Sequence, residues 1–409
     1  MASDLHRTAT TTYLCCVPTL EESAGAGRVG LAGANIQSFY IFTSRIARIK
    51  NHCIFTVLNI YNMLNGKLFA IILLSIIAWG CKDDENELKK LFSIENPTLK
   101  PILKLEESID LAVLNKENKI IDSVVYFIND IKITTVKGNE KTPFALKNQK
   151  LGNQTLTASI YFEGKFTDIS TSFSIYASRE PQILNYKIIN TYPHDINAYT
   201  QGFEFYKGIL LEGTGQYKES TLRKTDYKTG KISQQIKLDD TYFGEGITVL
   251  NGKIFQLTWK EKTGFIYDAN TLALEKKFSF ETDGWGLTND GKKLYMSDGS
   301  EKIYILDPTT LKVIDFICVY TAGSKIESIN EMEWINGKIW ANIYQKDVIA
   351  VIDPITGSVE NVINCVDLKN KVTQHPEVDY FNGIAYNPAT KTYFVTGKNW
   401  DKTFELIIK

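Results

Sequence analysis

Gln201, Glu245, Trp285, Asn330 and Asn382 head five similar segments, spaced roughly 40–52 residues apart. Each is an amide, a carboxylate or an indole standing before an apolar, strand-like run. Trp259, Tyr344 and Lys398 close the following run in the second, fourth and fifth segments, and Asp298 holds that place in the third. Phe243 adds a ring just ahead of Glu245. Gathered around one hollow, such groups can bind a polar molecule, move a proton and steady a developing negative charge. Each also has a plainer use: a glutamate between glycines can cap strand ends, and a lysine can be a solvated rim charge.

For these residues to meet, the segments must be copies of one unit. Lys207-Gly208, Asn251-Gly252, Asp290-Gly291 and Asn336-Gly337 follow the first run, with a polar stretch over 389–391 in the last copy. Asn-Gly and Asp-Gly suit a two-residue hairpin, in which both turn residues take φ > 0. A second strand follows, then a third containing Thr225-Asp226, Tyr267-Asp268, Leu306-Asp307 or Ile352-Asp353, then a fourth. In an up-down-up-down unit the start of the first strand and the end of the second share one face. The last copy lacks a fourth strand, which 183–191 can supply to close a ring. The pattern predicts an all-β chain, with a five-bladed β-propeller over 181–409. A six- or seven-bladed ring would need more units than the sequence contains.

Ahead of it, 108–113, 155–162 and 172–176 mostly alternate with period two. The stretch 123–128 is instead continuously β-branched and aromatic, which predicts a strand buried on both faces. A small immunoglobulin-like β-sandwich over 92–180 follows from that spacing. It holds no catalytic constellation and reads as a spacer or docking module.

The net charge of −1, without a basic cluster, argues against a nucleic-acid partner. Of four histidines, only His194 and His375 fall in the C-terminal two-thirds, and there is no HExxH or CxxC, so no zinc site is expected. His194 and Asp195 are expected to fix the loop leading into the first unit. Cys318 and Cys365 sit in apolar runs and read as unpaired core thiols.

Residues 1–62 carry no sustained periodicity. Met63 and Lys67 then open an apolar run over 68–79, too short to span ~30 Å of hydrocarbon. Ala78-Trp79-Gly80-Cys81 closes it, as small residues close a secretory signal. With Cys81 after Gly80, this resembles a bacterial lipobox. The expectation is that 1–62 is an unstructured, mis-assigned upstream extension and Met63 the true start. A lipoprotein signal would then span 63–81 and a charged linker 82–91, with Cys81 lipidated. Lys82-Asp83-Asp84-Glu85 looks like a tag for surface display. Such a protein would sit on a Gram-negative outer membrane, facing the periplasm or outside.

Several motifs in order, from about 186 to 409, carry a resemblance. Pro193-His194-Asp195, Tyr199-Thr200-Gln201-Gly202, Phe243-Gly244-Glu245-Gly246 and Gln256-Leu257-Thr258-Trp259 are the first of them. Asp283-Gly284-Trp285-Gly286, Asn330-Glu331, Trp340-Ala341-Asn342-Ile343-Tyr344-Gln345 and Val395-Thr396-Gly397-Lys398 complete the set. Together they resemble the plant and bacterial type of glutaminyl-peptide cyclotransferase, a five-bladed propeller family without a catalytic metal. The resemblance implies closure of an N-terminal glutamine to pyroglutamate with loss of ammonia, on peptides or proteins that begin with Gln. It implies no cofactor, although plant members carry a structural calcium.

By resemblance, Glu245 holds the amino group and shuttles the proton, Lys398 polarises the site, and Asn330 donates to the oxyanion. Gln201 bonds the substrate's polar groups, while Phe243, Trp259, Trp285 and Tyr344 wall the pocket. Tyr344 departs from the indole of the plant members, which bears on the finer substrate preference. Two other readings stand beside this one. A propeller that only binds a peptide or carbohydrate would show no turnover. A lactonase-like propeller would gather several carboxylates on one cation, which Glu245, with Asp298 beside it and a lysine opposite, suits poorly.

Overall fold

A computed structural model describes residues 86–94 and 98–409, so the 1–62 extension, Met63, the 68–79 run and Cys81 lie outside the described residues. The described residues are nearly all strand. Their helical pieces are one turn over 86–90, within the expected linker, and Val366–Lys369. No helix among the described residues is long and apolar enough to cross a membrane.

The N-terminal part is a five-stranded sheet built from Ile102–Lys104, Lys165–Tyr176, Gly152–Phe162, Ile121–Ile128 and Ile131–Lys137. Two ribbons, Phe92–Ser93 with Leu114–Asn115 and Ser108–Leu111 with Thr142–Ala145, share its core. The 121–128 strand is not buried on both faces. Val124, Tyr126 and Ile128 are buried, while Val125 and Phe127 are only half-buried. One face of the sheet packs on the ribbons and the other is only partly covered, which restores a period of two. Cys318 and Tyr320, from the C-terminal part, belong to the same hydrophobic core, and the Tyr176 and Tyr320 rings lie 5.0 Å apart. The N-terminal module is thus docked by burial rather than strung on a tether.

From Tyr186 onward the chain forms five sheets. The first runs through Thr200–Tyr206, Ile209–Thr214, Thr221–Asp226 and Lys231–Lys237, and the second through Gly244–Leu250, Lys253–Thr258, Thr263–Asp268 and Leu274–Ser279. The third holds Leu287–Asn289, Leu294–Ser297, Lys302–Leu306 and Val313–Cys318, and the fourth Ile329–Ile335, Lys338–Ile343, Val348–Ile352 and Val359–Asn364. Phe381–Asn387, Thr392–Gly397 and Lys402–Ile408 form the fifth, completed by Tyr186–Pro193 pairing antiparallel with Lys402–Ile408. The neighbouring Gln182–Leu184 adds a parallel strand to the edge of the fourth sheet. First strands lie against one another in order, and that of the fifth sheet returns to that of the first. The arrangement is propeller-like.

Local chemistry explains the repeat. Lys207-Gly208, Asn251-Gly252 and Asn336-Gly337 all have positive φ at both turn positions, as two-residue hairpins require. The third sheet differs from expectation, because Asp290 keeps negative φ and its Oδ1 accepts from the backbone N–H groups of Lys292 and Lys293. That turn is longer and held by the carboxylate instead. Asp226 and Asp268 end their third strands, Asp307 and Asp353 directly follow theirs, and each accepts backbone N–H groups two and three residues on. These Asx turns send the chain into the fourth strand. Cys318 and Cys365 are buried free thiols.

Candidate active site

Gln201, Phe243, Glu245, Trp259, Trp285, Asn330, Tyr344 and Lys398 all line one cavity of about 170 Å³. The local cause is a break in register where the first two strands of a sheet pair. In the first, second, fourth and fifth sheets it falls between Thr200 and Gly202, Gly244 and Ile247, Ile329 and Met332, and Phe381 and Ile384. Gln201, Glu245, Asn330 and Asn382 each sit inside such a break, where an irregular strand re-aims a side chain.

Glycine after the functional residue has a separate cause. A Cβ on Gly246 would lie 2.6 Å from the backbone N of Leu287, and one on Gly286 would lie 1.8 Å from the carbonyl oxygen of Asn330. Gly246 N–H also donates to the Trp285 carbonyl at 2.8 Å. Neighbouring sheets therefore meet backbone to backbone at the pocket, and any side chain there would part them.

The walls are aromatic. Trp259 packs on Phe243 at 5.6 Å and Phe243 on Tyr199 at 6.1 Å; on the other side Trp285 packs on Tyr344 at 5.6 Å. The Lys398 ammonium fills the gap between these arcs, 4.6 Å from the Tyr199 ring centroid and 5.0 Å from that of Tyr344. Gln201 is oriented by its neighbour: Asn382 Nδ2 donates to Gln201 Oε1 at 3.1 Å, which turns the Gln201 NH₂ away from that contact.

Electrostatically, the pocket holds a carboxylate and an ammonium that influence each other across it. Burial pushes the Glu245 carboxyl well above the usual carboxylate range; Lys398 pulls it back, while Glu261 and Asp283 push it further up. Burial brings Lys398 down to about 8, against the opposing pull of Glu245 and Asp379. Glu245 Oε2, Asn330 Oδ1 and Trp285 Nε1 are buried and have no hydrogen-bond partner within the protein. Buried polar atoms are rarely left so. Three of them in one pocket amount to an unfilled set of contacts for a polar ligand.

Several side chains fall elsewhere. Asp298 turns to the hydroxyls of Ser300 and Tyr304 and does not line the cavity. His194 is buried between Glu212 Oε1 at 3.0 Å and the Trp400 carbonyl at 2.7 Å, while Arg223 bonds both Glu212 and Asp195. That network fixes the leading loop. Tyr199 and Gln216 line the cavity but lie outside the repeat logic. Gln216 adopts φ 86° in a turn, a conformation that no residue type announces. Among the described residues, no group of three or more His, Cys, Asp or Glu side chains is placed to hold a metal.

Comparison with known proteins supplies the family. The family model for glutamine cyclotransferase matches residues 162–408. A glutaminyl-peptide cyclotransferase of Arabidopsis thaliana is 42% identical over 228 residues, 54% of this chain and 71% of that one. The crystal structure of Myxococcus xanthus glutaminyl cyclase is 33% identical with a TM-score of 0.53, covering 56% of this chain and 99% of that chain.

Proposed function

The chain belongs to the glutamine cyclotransferase family, and on that premise we propose that its cavity cyclises the N-terminal glutamine of peptides to pyroglutamate, releasing ammonia. It is a transferase, and the family match disfavours a propeller that merely binds. One observation carries the proposal: an aromatic-walled cavity brings buried Glu245 and Lys398 together with the unpartnered Glu245 Oε2 and Asn330 Oδ1.

Nucleophile and electrophile belong to one residue, so the pocket's task is to hold the folded conformer and manage protons. The α-amine attacks the side-chain amide carbon, forming the ring C–N bond. Glu245 accepts the proton that the amine loses and returns it to the leaving nitrogen, which departs as ammonia when the old C–N bond breaks. A carboxyl held above its ordinary range suits both halves of that transfer. The Asn330 amide and the Lys398 ammonium steady the negative charge on the carbonyl oxygen at the tetrahedral stage. Gln201 presents its NH₂ to the substrate's carbonyl groups. Phe243, Trp259, Trp285 and Tyr344 exclude water, which strengthens every one of these interactions.

The same reading takes the five sheets as blades of a five-bladed β-propeller over 181–409 and the 92–180 module as immunoglobulin-like. The ring of adjacent first strands and the shared ribbon-and-sheet core support it. Display from a Gram-negative outer membrane through lipid at Cys81 is a further part of the proposal, supported by the 68–79 run and Gly80-Cys81. Loss of radiolabelled palmitate incorporation in Cys81→Ser would bear it out, and equal labelling would reject it. The function itself is tested by ammonia release from a Gln-initiated peptide, measured with and without a chelator. Turnover in both arms is expected, and none in either would return the cavity to the status of a binding site.

A further inference from the structure

Lys398 is held in an unusual way. Its ammonium lies between the ring faces of Tyr199 and Tyr344, which come from different parts of the ring. A cation over an aromatic face is attracted to the ring's negative centre, more strongly when desolvated. Such an attraction has little angular preference, so a ring that can swing fixes the cation poorly. The Tyr199 ring cannot swing freely, because its hydroxyl donates to Asp379 Oδ2 at 2.9 Å. Asp379 is itself pinned beside Lys398: its N–H donates to the Lys398 carbonyl at 3.0 Å, and the Lys398 N–H donates to the Tyr380 carbonyl at 2.9 Å. The other Asp379 oxygen accepts the Tyr380 N–H at 2.8 Å.

Backbone, carboxylate, phenol and ammonium therefore form a closed loop, Lys398 to Asp379 to Tyr199 and back to Lys398. We propose that Asp379 is a positioning residue for the cyclisation: through the Tyr199 hydroxyl it clamps the phenol ring against the Lys398 ammonium and fixes that charge opposite Glu245. The inference rests on the function proposed above. Asp379 does not line the cavity and acts through Tyr199. The charged and titratable groups acting on Lys398 are Glu245 from the second sheet and Asp379 from the loop before the fifth, with the Tyr199 and Tyr344 phenols at its sides.

Two variants separate the clamp from the charge. Tyr199→Phe keeps the ring and loses the tether; kcat is expected to fall about tenfold with KM within about twofold, in line with one lost hydrogen bond. Asp379→Asn keeps an acceptor for the phenol but removes the negative charge that favours the ammonium, so the alkaline limb of kcat/KM moves to lower pH. A second readout needs no turnover. The pH dependence of Lys398 acylation by acetic anhydride, followed by mass spectrometry, should move to lower pH in Asp379→Asn.

Ammonia release and acylation midpoints identical in wild type and both variants would overturn the clamp. A wild type that releases no ammonia, but whose Lys398 acylation profile changes in Tyr199→Phe, would sink the proposed function and leave the clamp standing. Should Asp379→Asn fail to fold, Tyr199→Phe, which removes one oxygen from a partly exposed residue, decides alone.

Discussion

Glu245 and Glu331 are both buried carboxyl groups in the same kind of register break, and burial pushes both well above their ordinary range. Their surroundings differ. Glu331 spends both oxygens on backbone, accepting Phe203 N–H from the first sheet at 3.2 Å and Ile384 N–H from the fifth at 2.8 Å. Glu333 does likewise with Tyr386 N–H, and Glu204 with Val249 N–H, each reaching from one sheet to another. Glu245 keeps an oxygen with no partner and faces a cavity. A raised proton affinity thus marks burial, and it does not by itself tell a reactive group from a rivet. The hydrogen-bond inventory does. Carboxylates that satisfy neighbouring sheets hold the ring together, and the one left unsatisfied is available to a substrate.

The comparison breaks first at Glu245. Glu245→Gln should cut ammonia release by about 10²–10⁴-fold with an unchanged circular dichroism spectrum; a variant within a few-fold of wild type would place the proton transfer elsewhere. Next comes the pH profile. Lys398, held at about 8, should lose its proton there, so kcat/KM should decline as pH rises through that value. On the acid side activity should rise only above the ordinary carboxylate range, because Glu245 keeps its proton longer. These limbs belong to the coupled pair rather than to either group alone.

Glu331→Gln tests the other half. An amide has one acceptor atom where the carboxylate has two, so one backbone N–H would face an NH₂ group. A loss of about 1–3 kcal/mol in urea denaturation is expected, with turnover per folded molecule nearly unchanged. Linkage adds a sign. Glu331 binds its proton more tightly folded than unfolded, so its contribution is full below the unfolded carboxyl pKa and is lost as pH rises through the folded one. The glutamine variant should lack that part of the slope. Smallest of all is Lys338→Ala, which removes the partly exposed pairs with Asp353 at 2.7 Å and Glu360 at 2.8 Å. Less than about 1 kcal/mol is expected from the thermal midpoint.

Much of this could be read from residue order. The Gln201, Glu245, Trp285, Asn330 and Asn382 heads, the paired positive-φ turns and a closing strand near 183–191, which the structure moves to Tyr186–Pro193, are local patterns at a period, and a period survives in one dimension. What escaped was set by contacts that no spacing records. Tyr199 and Asp379 are 180 residues apart in the chain and meet only because the ring closes. Glu331 reads as the tail of the Asn330 motif until its oxygens are seen on two other sheets. Gln182–Leu184 is too short to show any period, yet it extends the fourth sheet. The expectation of two-sided burial at 123–128 failed because apolar composition records hydrophobicity and not which neighbour arrives to cover it.

Gln182–Leu184 and Tyr186–Pro193 are consecutive, but one joins the fourth sheet and the other the fifth. The chain thus latches its seam with a segment made before any of the strands it grips. During synthesis that segment must wait, unpaired, until Lys402–Ile408 has left the ribosome, and Lys398 arrives almost as late. A nascent chain cannot own a finished pocket. A circular permutant cut between the two latching strands would part the two grips, and release of Tyr186–Pro193 would leave Lys402–Ile408 as a bare edge beside Lys398.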